Sequence, residues 1–365
     1  MANNQLFSLI KSQRTNLPCI SGGILLKLSG SAMKSVLNLL PAGLAVAAFG
    51  ISLAYAQPLQ PEKSADYPRK PIRLVIGYPT SGAVDLVART IGSKLADKLG
   101  QSVIVDNRTG ASGNIATAIV AKSAPDGYTV LLGTNNDSIS PSLFKNLPFD
   151  LLRDLAPITL VVDFPFYLVV RPAVPAKSVR ELIALAKARP GQLNFASSGE
   201  GSLPHLAGEM LKTMARVNII HIPYRGAPDA LVAILAGQVE IGFLTGEPAL
   251  PFFKSGKVRA LAVTGTQRAP QAPELPTLNE SGLPGYELKG WHGLFAPAHT
   301  PQPIINKVHR EMMTILNLKD VRDRLDAQGL DVAVPTTPSE FRAFVQSDMA
   351  KDAKIVKDTG MKINN

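Results

Sequence analysis

The chain has 365 residues, 45% hydrophobic and 18% charged, with a formal net charge of +10, one cysteine and five histidines. Its basic residues are scattered singly, with no Lys/Arg run and no stacking aromatics between them, which argues against a nucleic-acid groove and for a mild positive field that gathers small anions. A lone Cys19 and the lack of any H-x-x-x-H pair exclude a disulfide framework and leave no ligand set for zinc or another metal, and no cofactor is expected.

Residues 33–56 combine Met33-Lys34, an apolar run and Ala54-Tyr55-Ala56, the pattern of a secretory signal cleaved after Ala56. Pro41, Gly43 and Gly50 break the run, so it reads as a cleavable leader and not as a membrane anchor. The long stretch before it points to Met33 as the true start. Cys19 follows Leu17-Pro18, which is not a lipoprotein setting. Removing the first 56 residues, with their four basic and no acidic side chains, lowers the charge from +10 to +6 and leaves 309 residues, enough for two lobes.

After a linker at 57–66, short β-branched runs alternate with amphipathic ones, the form of an α/β protein. A strand at 72–78 leads through Pro79-Thr80-Ser81-Gly82 into a helix over 84–99, whose Val84, Val87, Ala88, Ile91, Leu95 and Leu99 share one face and which Gly100 ends. A strand at 102–107, a helix near 114–124 and a strand at 128–134 complete a βαβαβ half. Residues 156–172 read as two strands around a turn at Pro165, able to carry the chain into a second lobe. There the rhythm repeats: helix 178–191, strand 193–197, helix 203–215, strand 218–224, helix 229–238, then strands 240–245 and 258–265. The chain returns through WHGLFAPA to helices near 301–317, 319–328 and 338–358. The expected layout is one lobe from 67–168 and 290–365, with 169–289 inserted as the other.

Two strand-to-helix junctions draw attention, Tyr78-Pro79-Thr80-Ser81-Gly82 and Ser197-Ser198-Gly199-Glu200-Gly201-Ser202. Unpaired N–H groups at helix starts, beside glycine and hydroxyls, suit a carboxylate, and both loops lie at strand carboxyl ends where α/β sheets bind ligands. The same Ser and Thr residues also suit plain helix caps. Arg225, in Tyr224-Arg225-Gly226-Ala227-Pro228, fits an anion partner or a solvated charge; Thr134-Asn135-Asn136-Asp137-Ser138 fits a ligand contact or an Asx-type turn. His205 suits a ligand contact or a packed domain edge; Trp291 and Phe295 suit a cleft wall or hinge packing. No G-x-S-x-G elbow, phosphate-binding P-loop or complete dinucleotide fingerprint points to an enzyme.

The runs YPRKPIRLVIGYPTSGAVDLVAR, VDNRTGASGNIA, PDGYTVLLGT, NFASSGEGSLPHLAGE, IPYRGAPDAL and LPTLNESGLPGYE with WHGLFAPA, spread from Tyr67 to the C-terminus, resemble the substrate-binding receptors of tripartite tricarboxylate transporters, the Bug receptors. The resemblance implies a type II periplasmic-binding-protein fold, two α/β lobes with a ligand cleft between them. It implies a small organic acid as ligand, held by Tyr78, Thr80, Ser81, Gly82 and Asp85 on one side and Ser197, Ser198, Gly199, Ser202, His205, Tyr224 and Gly226 on the other. Thr134, Asn135, Arg225 and Thr245 complete the candidate set. This chain departs from the family where Thr80-Ser81 replaces glycine and where Leu244-Thr245 replaces an acidic position. The expectation is a periplasmic, monomeric, non-enzymatic receptor that delivers its ligand to membrane transporter subunits. A receptor signalling to a membrane sensor and an exported enzyme on the same fold are the alternatives.

Overall fold

Aliphatic residues at Ile72–Ile76 form β1, buried along its length except at Arg73, and the chain turns from it into α1, Ala83–Leu99. The α1 stripe of Val84, Val87, Ala88, Ile91 and Leu95 is buried, and Gly100 closes the helix in the left-handed conformation that a residue without Cβ adopts cheaply. The computed structural model describes residues 66–334 and 336–362. The leader, its cleavage site after Ala56 and the linker up to 65 lie outside the described residues.

The first sheet continues with β2 (Val103–Asn107), α2 (Asn114–Ala121), β3 (Thr129–Thr134), α3 (Asn135–Leu143), α4 (Leu151–Asp154) and β4 (Leu155–Pro165). The chain then enters a second sheet: β5 (Tyr167–Val170), α5 (Val179–Ala188), β6 (Asn194–Ser197), α6 (Leu203–Ala215), β7 (Ile220–Pro223), α7 (Ala227–Leu235), β8 (Ile241–Leu244), α8 (Gly246–Lys254) and β9 (Arg259–Val263). It returns to the first sheet as β10 (Lys289–Pro297), followed by α9 (Gln302–Leu316), α10 (Lys319–Asp326), β11 (Asp331–Val332) and α11 (Pro338–Thr359).

The first sheet has the order β11-β4-β10-β3-β1-β2 and the second β7-β6-β8-β5-β9. Parallel pairs β1 with β2 and β3, and β6 with β7 and β8, need helical crossovers, which places strand-to-helix junctions together at the strand carboxyl ends. The strands linking the sheets, β10, β4, β5 and β9, run antiparallel to their neighbours. One apolar cluster joins the two sheets, from Leu74 and Ile76 through Phe164 and Phe166 to Phe195, Leu206 and Phe243. Each such side chain contributes about 1.5–3 kcal/mol on burial. This two-sheet α/β architecture is the expected fold class.

Five elements were not legible as elements, the short α4 and β11 among them. The patch at 134–138 opens helix α3, although NNDSISPSL has no apolar period and contains Pro141. A reciprocal capping box makes it helical: Thr134 Oγ1 accepts from the Asn136 amide and Asp137 from the Thr134 amide, while the Ser138 and Ser140 hydroxyls donate to carbonyls one turn back. Helix α8 is likewise masked by its prolines. WHGLFAPA lies in β10, the central strand between β3 and β4.

Candidate functional site

Five junctions meet at one crevice between the sheets: β1 into α1, β3 into α3, β6 into α6, β7 into α7 and β8 into α8. First-turn or capping residues of all five helices line it, namely Gly82 to Val84, Asn135 and Asn136, Leu203 and Pro204, Gly226 to Pro228, and Thr245. The positive ends of five helix dipoles therefore point into one space.

The helices differ in how their first amides are satisfied. Helix α3 is capped by its own box. The Leu203 amide of α6 donates to Asn136 Oδ1 of the first sheet at 3.0 Å, so one helix start caps the other across the crevice. Helices α1, α7 and α8 begin on Gly82, Gly226 and Thr245, none of which makes a side-chain cap bond. Gly226 has φ +118°, a conformation that excludes a side chain without strain, and a Cβ there would stand 3.7 Å from Pro79 Cγ. The α1 and α7 starts are thus neighbours in space.

The crevice has two parts. An inner chamber of about 90 Å³ is walled by Phe164, Phe166, Phe243 and His292, and its lining includes no Asp, Glu, Lys or Arg. An outer chamber of about 620 Å³ is lined by residues 109–113, Phe144, Gly199, Glu200, Tyr224 and Arg225. Tyr78, Pro79, Ser198 and Gly226 line both and form the neck. Ser112 Oγ donates to the Glu200 carbonyl at 2.7 Å, a second bridge between the sheets' segments.

Tyr78 organises the neck. Its hydroxyl accepts from Asn136 Nδ2 and lies 3.2 Å from both the Ser112 carbonyl and Thr134 Oγ1. Burial, reinforced by the Asp137 charge, raises its pKa, so the phenol stays neutral. Burial also pushes Asp137 up to about 6, against hydrogen bonds from Thr117 and the Thr134 amide.

Beneath the serine-rich loop, His205 and His221 stack at 3.6 Å. Gly201 N–H donates to His205 Nδ1, and Ser197 Oγ lies 2.6 Å from His221 Nε2. Burial, with the nearby Lys212 charge, lowers His205 to about 4; burial, His205 and Lys212 lower His221 to about 3. Both rings are neutral props near pH 7.

Residues 87–361 match the tripartite tricarboxylate transporter family receptor. Protein BugT of Bordetella pertussis (strain Tohama I) is 36% identical over 322 residues, 87% of this chain and 98% of that protein. The chain belongs to this receptor family. An R. palustris protein solved with adipate superposes with a TM-score of 0.78 at 32% identity, covering 81% of this chain and 99% of that one. The periplasmic binding protein BugD superposes with a TM-score of 0.77 at 34% identity, covering 81% and 99%. The family and these neighbours are binding receptors rather than enzymes.

Against this family background, the structure sorts the candidate residues into three groups. Tyr78, Gly82, Thr134, Asn135, Ser198, Gly199, Tyr224, Arg225, Gly226 and Thr245 line one or both chambers. Ser197, Ser202 and His205 line neither; they tie the loop to itself, with both serine hydroxyls donating to the Gly199 carbonyl. Thr80 and Ser81 are exposed and outside both linings, and Asp85 is buried and likewise outside them. Burial alone would raise the Asp85 carboxyl, but bonds from Arg89, Asn107 and the Ser81 amide hold it below the usual range. Ser81 itself has φ +68°, a conformation that glycine adopts most cheaply.

Trp291 and Phe295 pack with Phe341 away from the chambers, and the indole donates to Asp348 at 2.7 Å. The loop Thr109–Gly113, Asn136 in its cross-sheet role and the wall residues Phe164, Phe166 and His292 were not among the candidates. Only the polarity of the 134–138 patch hinted at any of them.

Proposed function

We propose that this protein is a periplasmic receptor that closes on a small carboxylate and delivers it to the membrane subunits of a tripartite tricarboxylate-type transporter. The observation that carries the reading is the convergence of five helix N-termini, three of them without side-chain caps, on a crevice whose inner part has no charged lining residue. Such a site offers backbone N–H groups and dipole charge to an anion. Carboxylate binding in the adipate-bound neighbour and membership of the receptor family support it.

In this reading the carboxylate sits at the neck, between the α1 and α7 starts, within reach of the Ser198 hydroxyl, which has no partner among the described residues. Arg225 is exposed on the outer chamber without an ion-pair partner among the described residues and steers the anion inward. In the same reading the lobes follow the two sheets, hinged where Pro165 meets β5 and where the chain re-enters β10, so that Tyr167 and Leu168, expected in the first lobe, go with the second. The receptor works as a monomer, without catalysis, after export and cleavage behind Ala56.

The test is mass spectrometry of whatever co-purifies with the periplasmic protein, followed by calorimetric titration of that compound and its methyl ester. A carboxylate that binds and an ester that does not is the expected result; equal binding of acid and ester contradicts the reading.

A further inference from the structure

Two polar atoms of residues lining the inner chamber have no partner among the described residues, His292 Nε2 and Thr245 Oγ1. The neighbours of His292 explain why its Nε2 is left open. His292 is only 3% exposed, and its Nδ1 lies 2.8 Å from the Trp291 carbonyl, which can only accept. The ring proton therefore resides on Nδ1, and Nε2 is a bare acceptor. The ring is fixed in place: it sits on β10 opposite Thr134 of β3, with Phe164 set edge-on at 4.9 Å. Burial lowers its pKa to about 4, so protonation does not convert Nε2 to a donor near neutral pH.

Thr245 holds the N-cap position of α8, where a threonine hydroxyl ordinarily accepts from the first-turn amides, yet it makes no such bond. A buried acceptor and a buried hydroxyl on two residues that line the same small apolar chamber are costly unless something else satisfies them.

We infer that His292 and Thr245 form a subsite for a hydroxyl on the ligand's carbon skeleton, which donates to His292 Nε2 and accepts from Thr245 Oγ1, so that the ligand class is hydroxy acids. The inference rests on the carboxylate-receptor reading above and adds the ligand's second polar group. The alternatives fit less well. A second carboxylate would press its lone pairs against the lone pair of Nε2. An ammonium would be buried where no lining side chain is acidic. A plain hydrocarbon would leave Nε2 open.

The experiment titrates the protein with two matched series: succinate, malate and aspartate; and phenylacetate, mandelate and phenylglycine. Each series places hydrogen, hydroxyl or ammonium at one carbon. The hydroxy member of at least one series is expected to bind about tenfold tighter than its partners. In His292→Phe and Thr245→Val that ratio should fall towards one. If a variant does not fold, ¹⁵N-histidine spectra of the unaltered protein give an independent reading: the hydroxy acid should shift the unprotonated Nε2 resonance of His292, and the hydrogen-bearing acid should not.

Equal affinities within both series, with methyl esters still failing to bind, overturn the subsite and leave the carboxylate reading standing. A hydroxyl preference that persists in both variants also overturns the subsite. Failure of every acid to bind, or esters binding as well as acids, overturns the carboxylate reading and the subsite with it.

Discussion

The junction between β6 and α6 and the junctions that open α1 and α7 occupy equivalent places at strand ends, yet they satisfy their hydrogen bonds in opposite ways. The first is rich in hydroxyls and spends them on itself: Ser197 bonds the Gly199 amide and carbonyl and meets His221, Ser202 bonds the Gly199 carbonyl, and His205 accepts from Gly201. The other two begin on glycines and receive no side-chain cap. Hydroxyl-rich sequence here goes with a loop tied to itself, and bare glycine with the two helix starts to which the proposed function assigns the anion. Ser198 is the exception, a hydroxyl of the tied loop that faces the neck.

The sharpest way to break this contrast is Gly226→Ala. A β-carbon in that backbone conformation stores about 1–3 kcal/mol of strain. Relief of the strain moves the α7 amides, and affinity for the co-purified acid should fall tenfold or more by calorimetry. Unchanged affinity would remove the α7 start from the site.

Next come two adjacent serines with opposite expected readouts. Ser198→Ala should weaken binding by about 1.5–3 kcal/mol, the usual loss for a donor to a charged acceptor, with an unchanged denaturant midpoint. Ser197→Ala should lower stability by about 1–3 kcal/mol, because it strands the groups it now satisfies. Exchange of these two outcomes would reverse the roles assigned to scaffold and site.

The histidine props give the scaffold a pH signature. His205 and His221 titrate in the folded state near 4 and 3, below the ordinary 6.5, so the unfolded chain binds more protons as acid is added. Their stabilising contribution is full above about pH 6.5 and is lost progressively as pH falls to about 4 for His205 and about 3 for His221. Protonation of Asp137, raised to about 6, opposes this in part below that pH. Thermal melts between pH 7.5 and 5 should show falling stability, with a shallower slope in His205→Gln/His221→Gln. An equal slope in the double variant would exclude the pair as its source.

The smallest effect belongs to Ser81→Gly, which restores the residue its φ of +68° favours. Stability should change by less than about 1 kcal/mol in the stabilising direction and binding should not change. A tenfold loss of affinity would return the Ser81 hydroxyl to the site.

Periodicity made most of the fold legible because it reports which face of an element is buried: the α1 stripe and the whole of α6, Leu203–Ala215, read directly from the sequence. Helix α3 did not, since a capping box opens it and its residues, NNDSISPSL, carry no apolar period. The site was legible as a set of loops but not residue by residue. Thr80 and Ser81 look like ligand hydroxyls in sequence, yet the turn they make leaves them in solvent. His292 reads as one residue of a buried strand; only the bond from its Nδ1 to a neighbouring carbonyl shows that its other nitrogen is left open.

The central claim concerns where the carboxylate lies, and a crystal structure of the protein with its co-purified acid tests it most directly. The carboxylate oxygens should lie within hydrogen-bond distance of first-turn amides of both α1 and α7, with Ser198 Oγ as a further donor. A carboxylate bound instead at the exposed Arg225 side chain, with the Gly82 and Gly226 junctions unoccupied, would contradict the account.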